Sequence, residues 1–152
     1  MELKNKLEYS NEFIVGIDSL DHEHKNIFSL MNQINDADVE QNNNVLSLVE
    51  QLVSYTKDHM QREEQMMKAC AYPYLDNHKQ VHELMMNRLL DHQQSCLNDF
   101  SKKTVGHLNH FLADWWQDHI LSYDKSIQNW INDNEDLVTI ANKLFEQEND
   151  KP

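Results

Sequence analysis

The chain has 152 residues, enough for one domain that buries a continuous core without disulfide bonds. Its 26 acidic residues against 13 basic ones give a formal net charge of −13, which excludes the electrostatic attraction that nucleic-acid and anionic-membrane binding require. Only two glycines and two prolines are present, so the composition favours long helices over a sheet with many tight turns, and we predict a single all-α domain over residues 1–152.

An extended arm over residues 1–18 precedes the first predicted helix, and its apolar side chains are expected to pack along the helices. The first helix is predicted over residues 19–35, where apolar residues recur at three-four spacing. His24 falls within this apolar stripe and is therefore expected to face the core. His22 and Glu23 lie on other sides of the same helix and are expected in solvent.

Two further helices are predicted over residues 45–70 and 74–96, on either side of a tyrosine-proline turn at residues 72–73. A proline and the residue before it disfavour a continuing helix, so the two helices should fold back antiparallel. Each helix carries a pair of potential metal ligands four residues apart, a spacing that directs both side chains to the same face. The pairs are His59 with Glu63 and His78 with His82.

The fourth helix is predicted over residues 105–132 and carries His119 and Asp124. Five residues separate them, and in a regular α-helix their directions differ by about 140°. A wider π-type turn would bring the two side chains together, so we predict a local irregularity between them. Residues 133–152 form a C-terminal tail or a short fifth helix after a four-helix bundle that spans residues 19–132.

The chain shows no sign of membrane insertion or secretion. No run of about 18 apolar residues occurs, and the N-terminal stretch lacks a basic region followed by an apolar segment. We therefore expect a soluble, cytoplasmic protein that binds neither nucleic acid nor a membrane. Cys70 and Cys96 are far apart and in no Cys-x-x-Cys pair, so both are expected as reduced thiols.

Seven inward-facing candidates combine five imidazoles with two carboxylates. They are His24, His59, Glu63, His78, His82, His119 and Asp124. A structural zinc takes about four ligands, so the larger mixed set suits two iron ions bridged by the carboxylates. Two octahedral irons offer about twelve positions, and the imidazoles, the carboxylate oxygens and a shared oxo or hydroxo bridge leave about one for a small diatomic molecule.

These residues occur in motifs that resemble those of the hemerythrins, the non-haem di-iron proteins that bind dioxygen. The motifs are VGIDSLDHEH, YTKDHMQREEQMM, YPYLDNHKQVH and WWQDHILSYDK, in family order across about residues 9–131. The resemblance implies an up-down-up-down antiparallel four-helix bundle. It also implies that His24 and His59 hold one iron, which carries the open position. By the same resemblance, the second iron is held by His78, His82 and His119, and the bridges are Glu63 and Asp124.

Three apolar residues are expected to line the ligand pocket, namely Trp116, Ile120 and Phe28. Trp116 stands where the family commonly has a leucine, so it is expected to narrow or reshape the pocket. Tyr9 stands where a tryptophan is frequent in the arm, a change expected to affect packing. Four other histidines have no place among the ligands and are expected to be structural or solvated: His22, His92, His107 and His110. Glu64 points about 100° away from Glu63 and is expected to be solvated.

The leading functional hypothesis is reversible dioxygen binding for transport, storage or sensing, without enzymatic turnover. The alternative is a di-iron enzyme that acts as a peroxidase or scavenges nitric oxide or peroxide. Carboxylate-rich sites with Glu-x-x-His pairs are typical of the ferritin-like di-iron bundles, whereas this chain offers five histidines and two carboxylates. A third hypothesis is a sensory module in which ligand binding shifts a helix or the arm for a separate partner. The oligomeric state stays open, and the sequence is compatible with a monomer.

Overall fold

The computed structural model describes residues 7–40, 44–133, 136–137 and 139–143. Four long helices make up most of this part of the chain, and the fourth continues through a π-helical segment into a last short helix. The elements are a short 3₁₀ helix (Asn11–Phe13) in the arm, α1 (Asp18–Asp36), α2 (Val45–Ala69), α3 (Leu75–Asn98), α4 (Lys102–His119), the π-helical segment Ile120–Asp124, and α5 (Lys125–Asn132). Consecutive long helices pack on each other and α1 packs against α4. The predicted all-α four-helix bundle is confirmed.

The turn between α2 and α3 follows from its sequence. Ala71 adopts a left-handed backbone conformation with a φ of 53°. The backbone N–H of Tyr72 donates to the carbonyl of Met67 at 2.9 Å, which satisfies a carbonyl in the last turn of α2. Pro73 cannot donate to a continuing helix, and α3 begins two residues later. The predicted tight turn therefore brings the two ligand-bearing helices side by side.

The start of α4 lies three residues before the predicted position 105. Ser101 Oγ accepts a hydrogen bond from the backbone N–H of Thr104 at 3.2 Å, and Thr104 Oγ1 accepts one from the N–H of Ser101 at 3.2 Å. These reciprocal bonds satisfy two backbone donors that the first helical turn otherwise leaves unpaired. Lys102 and Lys103 are consequently helical even though they carry no apolar periodicity.

The arm is ordered against the bundle over residues 7–17, while residues 1–6 lie outside the described part. Phe13 and Val15 are each 1% exposed. The carboxylate of Asp21 on α1 accepts hydrogen bonds from the backbone N–H of Val15 at 2.8 Å and of Gly16 at 3.2 Å. The Tyr9 hydroxyl also donates to Asp21 at 3.3 Å. One carboxylate of α1 therefore fixes the path of the chain that enters the helix.

Beyond α5, residues 136–137 and 139–143 are helical, as expected if a short helix follows the bundle within residues 133–152. The rest of that stretch lies outside the described residues. Ala141 is fully buried, and the Cys70 thiol lies 3.7 Å from the carbonyl oxygen of Leu137. Cys70 and Cys96 are both free and buried. Within the described ranges, no helix is long and apolar enough to cross a membrane.

Candidate metal centre

Glu63 on α2 lies at the middle of the buried polar cluster. It is fully buried, and its Oε2 atom is 3.4 Å from Nε2 of His59, one turn earlier on the same helix. Its Oε1 atom faces α3 instead, at 2.6 Å from Nε2 of His78 and 3.3 Å from Nε2 of His82. The two oxygens of one carboxylate therefore contact imidazoles on two different helices.

The π-helical segment brings Asp124 to the same face as His119. In a regular helix these side chains would point about 140° apart. In the wider turn Oδ1 of Asp124 lies 3.1 Å from Nε2 of His119, and both residues are buried. The irregularity predicted between them is confirmed as a π-helix over Ile120–Asp124. Such single wide turns are frequent at functional sites.

Asp124 also divides its oxygens between two groups of imidazoles. Its Oδ2 atom is 3.2 Å from Nε2 of His24 on α1, whereas Oδ1 is 3.4 Å from Nε2 of His78. The His24 ring lies 4.8 Å from the ring of His59, centroid to centroid. His24 and His59 therefore share one side of the cluster, opposite the imidazoles of α3 and α4.

All seven candidates predicted from the sequence come together in this cluster. Two groups have potential ligand atoms within 4.8 Å of one another: Glu63 with His78, His82 and His119, and Glu63 with His24 and His59. The second carboxylate, Asp124, contacts members of both groups. The geometry could hold two neighbouring cations, with the carboxylates between them.

The buried polar atoms of the cluster fit a metal centre better than a hydrogen-bond network. Both carboxylate oxygens of Asp124, Oε2 of Glu63 and Nε2 of His24 have no hydrogen-bond partner. These atoms lie 3.1 to 3.4 Å from their neighbours, so they converge without pairing as donor and acceptor. Burying a carboxylate without a partner is costly, and a bound cation removes that cost. Imidazole and carboxylate together suit iron.

The electrostatics keep both carboxylates ionised. Burial opposes ionisation of Glu63, but contacts from the surrounding imidazoles, His119 first, hold its pKa well below the ordinary value. The pKa of Asp124 is also lowered, because contacts with His119 and His24 outweigh burial and repulsion by Glu63. Burial opposes protonation of His78, but its contacts with Asp124 and Glu63 raise its pKa to about 10. Without metal, protonated imidazoles balance the charge of the two carboxylates, and bound cations would take over that role as the imidazoles lose their protons.

Two carboxylates outside the cluster contact the outer nitrogens of candidate ligands. Oε1 of Glu23 lies 3.4 Å from Nδ1 of His59, and Arg62 donates to Glu23 at 2.9 Å. Oε1 of Glu64 lies 3.1 Å from Nδ1 of His82. A carboxylate at Nδ1 favours the tautomer that carries the proton there and leaves Nε2 available to a metal.

The expectation that Glu23 and Glu64 are solvated was wrong for Glu23, which is 6% exposed, and incomplete for Glu64, whose side chain is 24% exposed. Burial opposes ionisation of Glu23, yet His59 and Arg62 lower its pKa. Each acid contacts a residue of the neighbouring helix, His59 and Arg62 on α2 for Glu23 and His82 on α3 for Glu64. Helical periodicity describes only the residue's own helix, so it could not reveal these contacts.

Of the three residues expected to line a ligand pocket, Trp116 is in ring contact with two histidines of the cluster. It is fully buried, with its ring 5.9 Å from His24 and 5.7 Å from His59. Ile120 is also fully buried. The described ring contacts of Phe28 are with arm residues, so its place in the pocket stays a prediction. Trp116 is thus the one whose indole stands beside the two-histidine side.

His119 lies between two other aromatic rings, an arrangement that was not predicted from the sequence. The Trp115 ring stacks on it at 4.2 Å with an interplanar angle of 17°, and Tyr123 stacks on it at 5.4 Å and 18°. The four remaining histidines lie outside the cluster. His22 contacts Asn26 and His92 stacks on Phe111, whereas the rings of His107 and His110 border a surface groove.

Comparison with known proteins gives a consistent result. The model of the family described as Hemerythrin HHE cation binding domain matches residues 15–131 of the chain. "Bacteriohemerythrin" of Stenotrophomonas maltophilia (strain R551-3) is 28% identical over 123 residues, which cover 79% of this chain and 78% of that protein. "Bacteriohemerythrin" of Clostridium acetobutylicum is 24% identical over 122 residues, covering 77% of this chain and 95% of that protein. "Myohemerythrin" of Theromyzon tessulatum is 32% identical over 81 residues, covering 53% of this chain and 63% of that protein.

Proposed function

The chain belongs to the hemerythrin family, and from this premise we propose that it binds dioxygen reversibly as a carrier, store or sensor. The hemerythrin domain holds two iron ions, and the family consists mainly of oxygen-binding proteins that are not enzymes. The observation that carries the proposal is the division of each buried carboxylate between two groups of imidazoles. Glu63 contacts His59 with one oxygen and His78 with the other, and Asp124 does the same between His24 and His119.

The proposed ligand assignment follows these contacts. His24 and His59 would hold one iron, and Glu63 and Asp124 would each contribute to both iron sites. The second iron takes the three imidazoles of α3 and α4, namely His78, His82 and His119. The first iron therefore has one protein ligand fewer, and we assign the open position to it. When bound, the ferrous pair would supply the electrons that dioxygen takes up on binding.

The residues around the proposed open position favour reversible binding of dioxygen. Trp116 stands beside His24 and His59 and is fully buried, so a bulky apolar ring shields the side assigned to the open position. Excluding water and protons from that side hinders the release of bound dioxygen as peroxide. Five neutral imidazoles and two carboxylates also give the centre less negative charge than a carboxylate-rich site would have.

The proposal is tested by reducing the iron-loaded protein, admitting air and following the visible spectrum. A charge-transfer band that appears with air and disappears on removal of oxygen over repeated cycles is the expected result. Rapid irreversible bleaching, together with catalytic turnover of added peroxide, would instead support the alternative of a di-iron scavenging enzyme. Iron analysis on the same sample should give two ions per chain.

A further inference from the structure

A groove of about 460 Å³ runs along the outside of the bundle between α3 and α4. Its volume falls within the range of roughly 300–1,000 Å³ that small-molecule sites occupy. One end is bordered by His119 and Tyr123, and the wall continues along α4 through Trp115 and Phe111. The groove therefore reaches from the surface to a residue of the metal centre.

The other end of the groove carries positive charge. Arg88 lies over the Phe111 ring at 4.6 Å, and His92 stacks on the same ring at 4.8 Å. Within the described ranges, Arg88 makes no ion pair with a carboxylate. The pKa of His92 is lowered, first by burial and then by the nearby charges of Arg88 and His107. In a chain with a formal charge of −13, Arg88 supplies a positive charge at this end of the groove.

Acidic groups occupy a different part of the groove. Asp114 on α4 lies 3.3 Å from Nε2 of His110, and both side chains are mostly exposed on the rim. Asp118 lies next to His119, at the end away from Arg88. Asp114 is thus paired and Asp118 is remote from the guanidinium, whereas Asp91, three residues after Arg88 on α3, lies close enough to act on His92. Among the residues that line the groove, Arg88 is the permanently charged basic one.

The length of the groove suits a planar ring system. Val81 and Arg88 both line it and are seven residues apart on α3, which corresponds to about 10 Å along the helix axis. Trp115 is half-buried, and one face of its ring is stacked on His119. A flat ring could lie against Trp115, and an anionic group on a flexible chain could reach Arg88, which lies over Phe111, one turn before Trp115 on α4. Aromatic contact and one charged anchor are a usual combination in such sites.

We propose that this groove binds a planar aromatic anion, with its negative group on Arg88 and its ring against Trp115 near His119. The anion class follows from the unpaired guanidinium, which can hold a carboxylate or phosphate through two parallel hydrogen bonds. The aromatic class follows from the ring-lined wall. The contacts involve no bound metal, so ligand binding here can succeed or fail independently of dioxygen binding.

The test is calorimetric titration of the iron-loaded protein with flavin mononucleotide and, in parallel, with riboflavin, which has the same ring without the phosphate. The expected result is saturable one-to-one binding of flavin mononucleotide. Arg88→Gln should weaken it by about tenfold or more, since a hydrogen bond to a charged group is lost. The same substitution should leave the weaker riboflavin binding nearly unchanged. Lys57→Gln, which removes the same charge from the exposed face of α2, is the matched control and should have little effect.

Several outcomes would overturn the assignment. One is the absence of flavin mononucleotide binding up to about 1 mM. Others are equal affinity for both flavins, or equal losses in the Arg88 and Lys57 variants. Inorganic phosphate that binds as tightly as flavin mononucleotide would remove the aromatic part of the proposal. The visible band that appears with air should be the same in Arg88→Gln, which keeps a failure of this site distinct from a failure of the metal centre.

Discussion

Nε2 of His78 lies 2.6 Å from Oε1 of Glu63, a contact that joins α3 to α2 at the centre of the bundle. The two residues are only 15 positions apart in sequence, yet each belongs to a different long helix. The tight turn at Ala71 to Pro73 makes this contact geometrically available. A metal centre assembled across that turn should therefore lose its metal when the ligands of either helix are substituted.

The first prediction separates two histidines on α3. His82→Ala should lower iron content well below two ions per chain, because Nε2 of His82 is 3.2 Å from Nε2 of His119 within the cluster. His92→Ala is the matched control and should retain iron, because its ring stacks on Phe111 outside the cluster. Metal analysis after purification in parallel gives the answer. Equal losses would mean that the centre has been misplaced, and a preference for zinc would remove the di-iron assignment.

The second prediction distinguishes a bridging carboxylate from a terminal imidazole. Glu63→Gln should reduce the occupancy of both irons, since the carboxylate contacts imidazoles of both groups. His24→Ala should affect mainly the two-histidine iron and leave about one ion per chain. Iron-to-protein ratios across a titration with ferrous ion measure the difference. Loss of a single ion in Glu63→Gln would contradict the bridging role.

The third prediction concerns the indole beside the two-histidine side. Trp116→Ala should destabilise the fold by about 3–5 kcal/mol and also speed autoxidation of the protein that remains folded. The reason is that the fully buried ring excludes solvent next to His24 and His59. Melting temperature and the autoxidation half-life are measured together.

Leu89→Ala provides the control for this effect, because Leu89 is fully buried on α3 beyond the cluster. It should cost about 2–5 kcal/mol without changing the autoxidation half-life of folded protein. If Trp116→Ala loses stability with the same unchanged half-life, the tryptophan only fills the core.

The fourth prediction compares the two glycines. Gly16 has a φ of +85°, and a Cβ atom there would lie 3.2 Å from Nε2 of Gln128. Gly16→Ala should therefore destabilise the protein by about 1–3 kcal/mol through backbone strain and crowding. Gly106 is helical with nothing within 4 Å of an added Cβ, so Gly106→Ala should stabilise it by up to about 1 kcal/mol. Denaturant midpoints of the two variants should move in opposite directions.

Much of this architecture could be predicted because helical periodicity relates each residue to its own helix. His24 within an apolar stripe and the paired ligands of α2 and α3 were enough to predict an inward cluster. The five-residue gap between His119 and Asp124 conflicted with a regular helix, and that conflict correctly predicted the π-helical segment. A residue spacing that does not fit a regular helix can thus be as informative as one that does.

Helical periodicity could not predict contacts between helices. Glu23 is buried because Arg62 and His59 on α2 enclose it, and no spacing within α1 indicates that. The early start of α4 depends on hydrogen bonds of Ser101 and Thr104, which hydrophobic spacing does not register. Predicting the burial of Glu23 requires the position of the neighbouring helix, and predicting the start of α4 requires the positions of the two hydroxyl groups.

The π-helical segment also sets the rotational phase of everything that follows it. Because the wide turn absorbs one extra residue, positions beyond it behave as though numbered one lower relative to His119. Asp124, Ile127 and Ile131 then fall at effective offsets of four, seven and eleven, which all lie on one helix face, and all three are buried. An uninterrupted helix would turn them away by about 80–140°. The same backbone feature therefore aligns a candidate ligand and seats α5 in the core, and deleting the one extra residue of the wide turn should leave a regular helix with all three side chains still on that face.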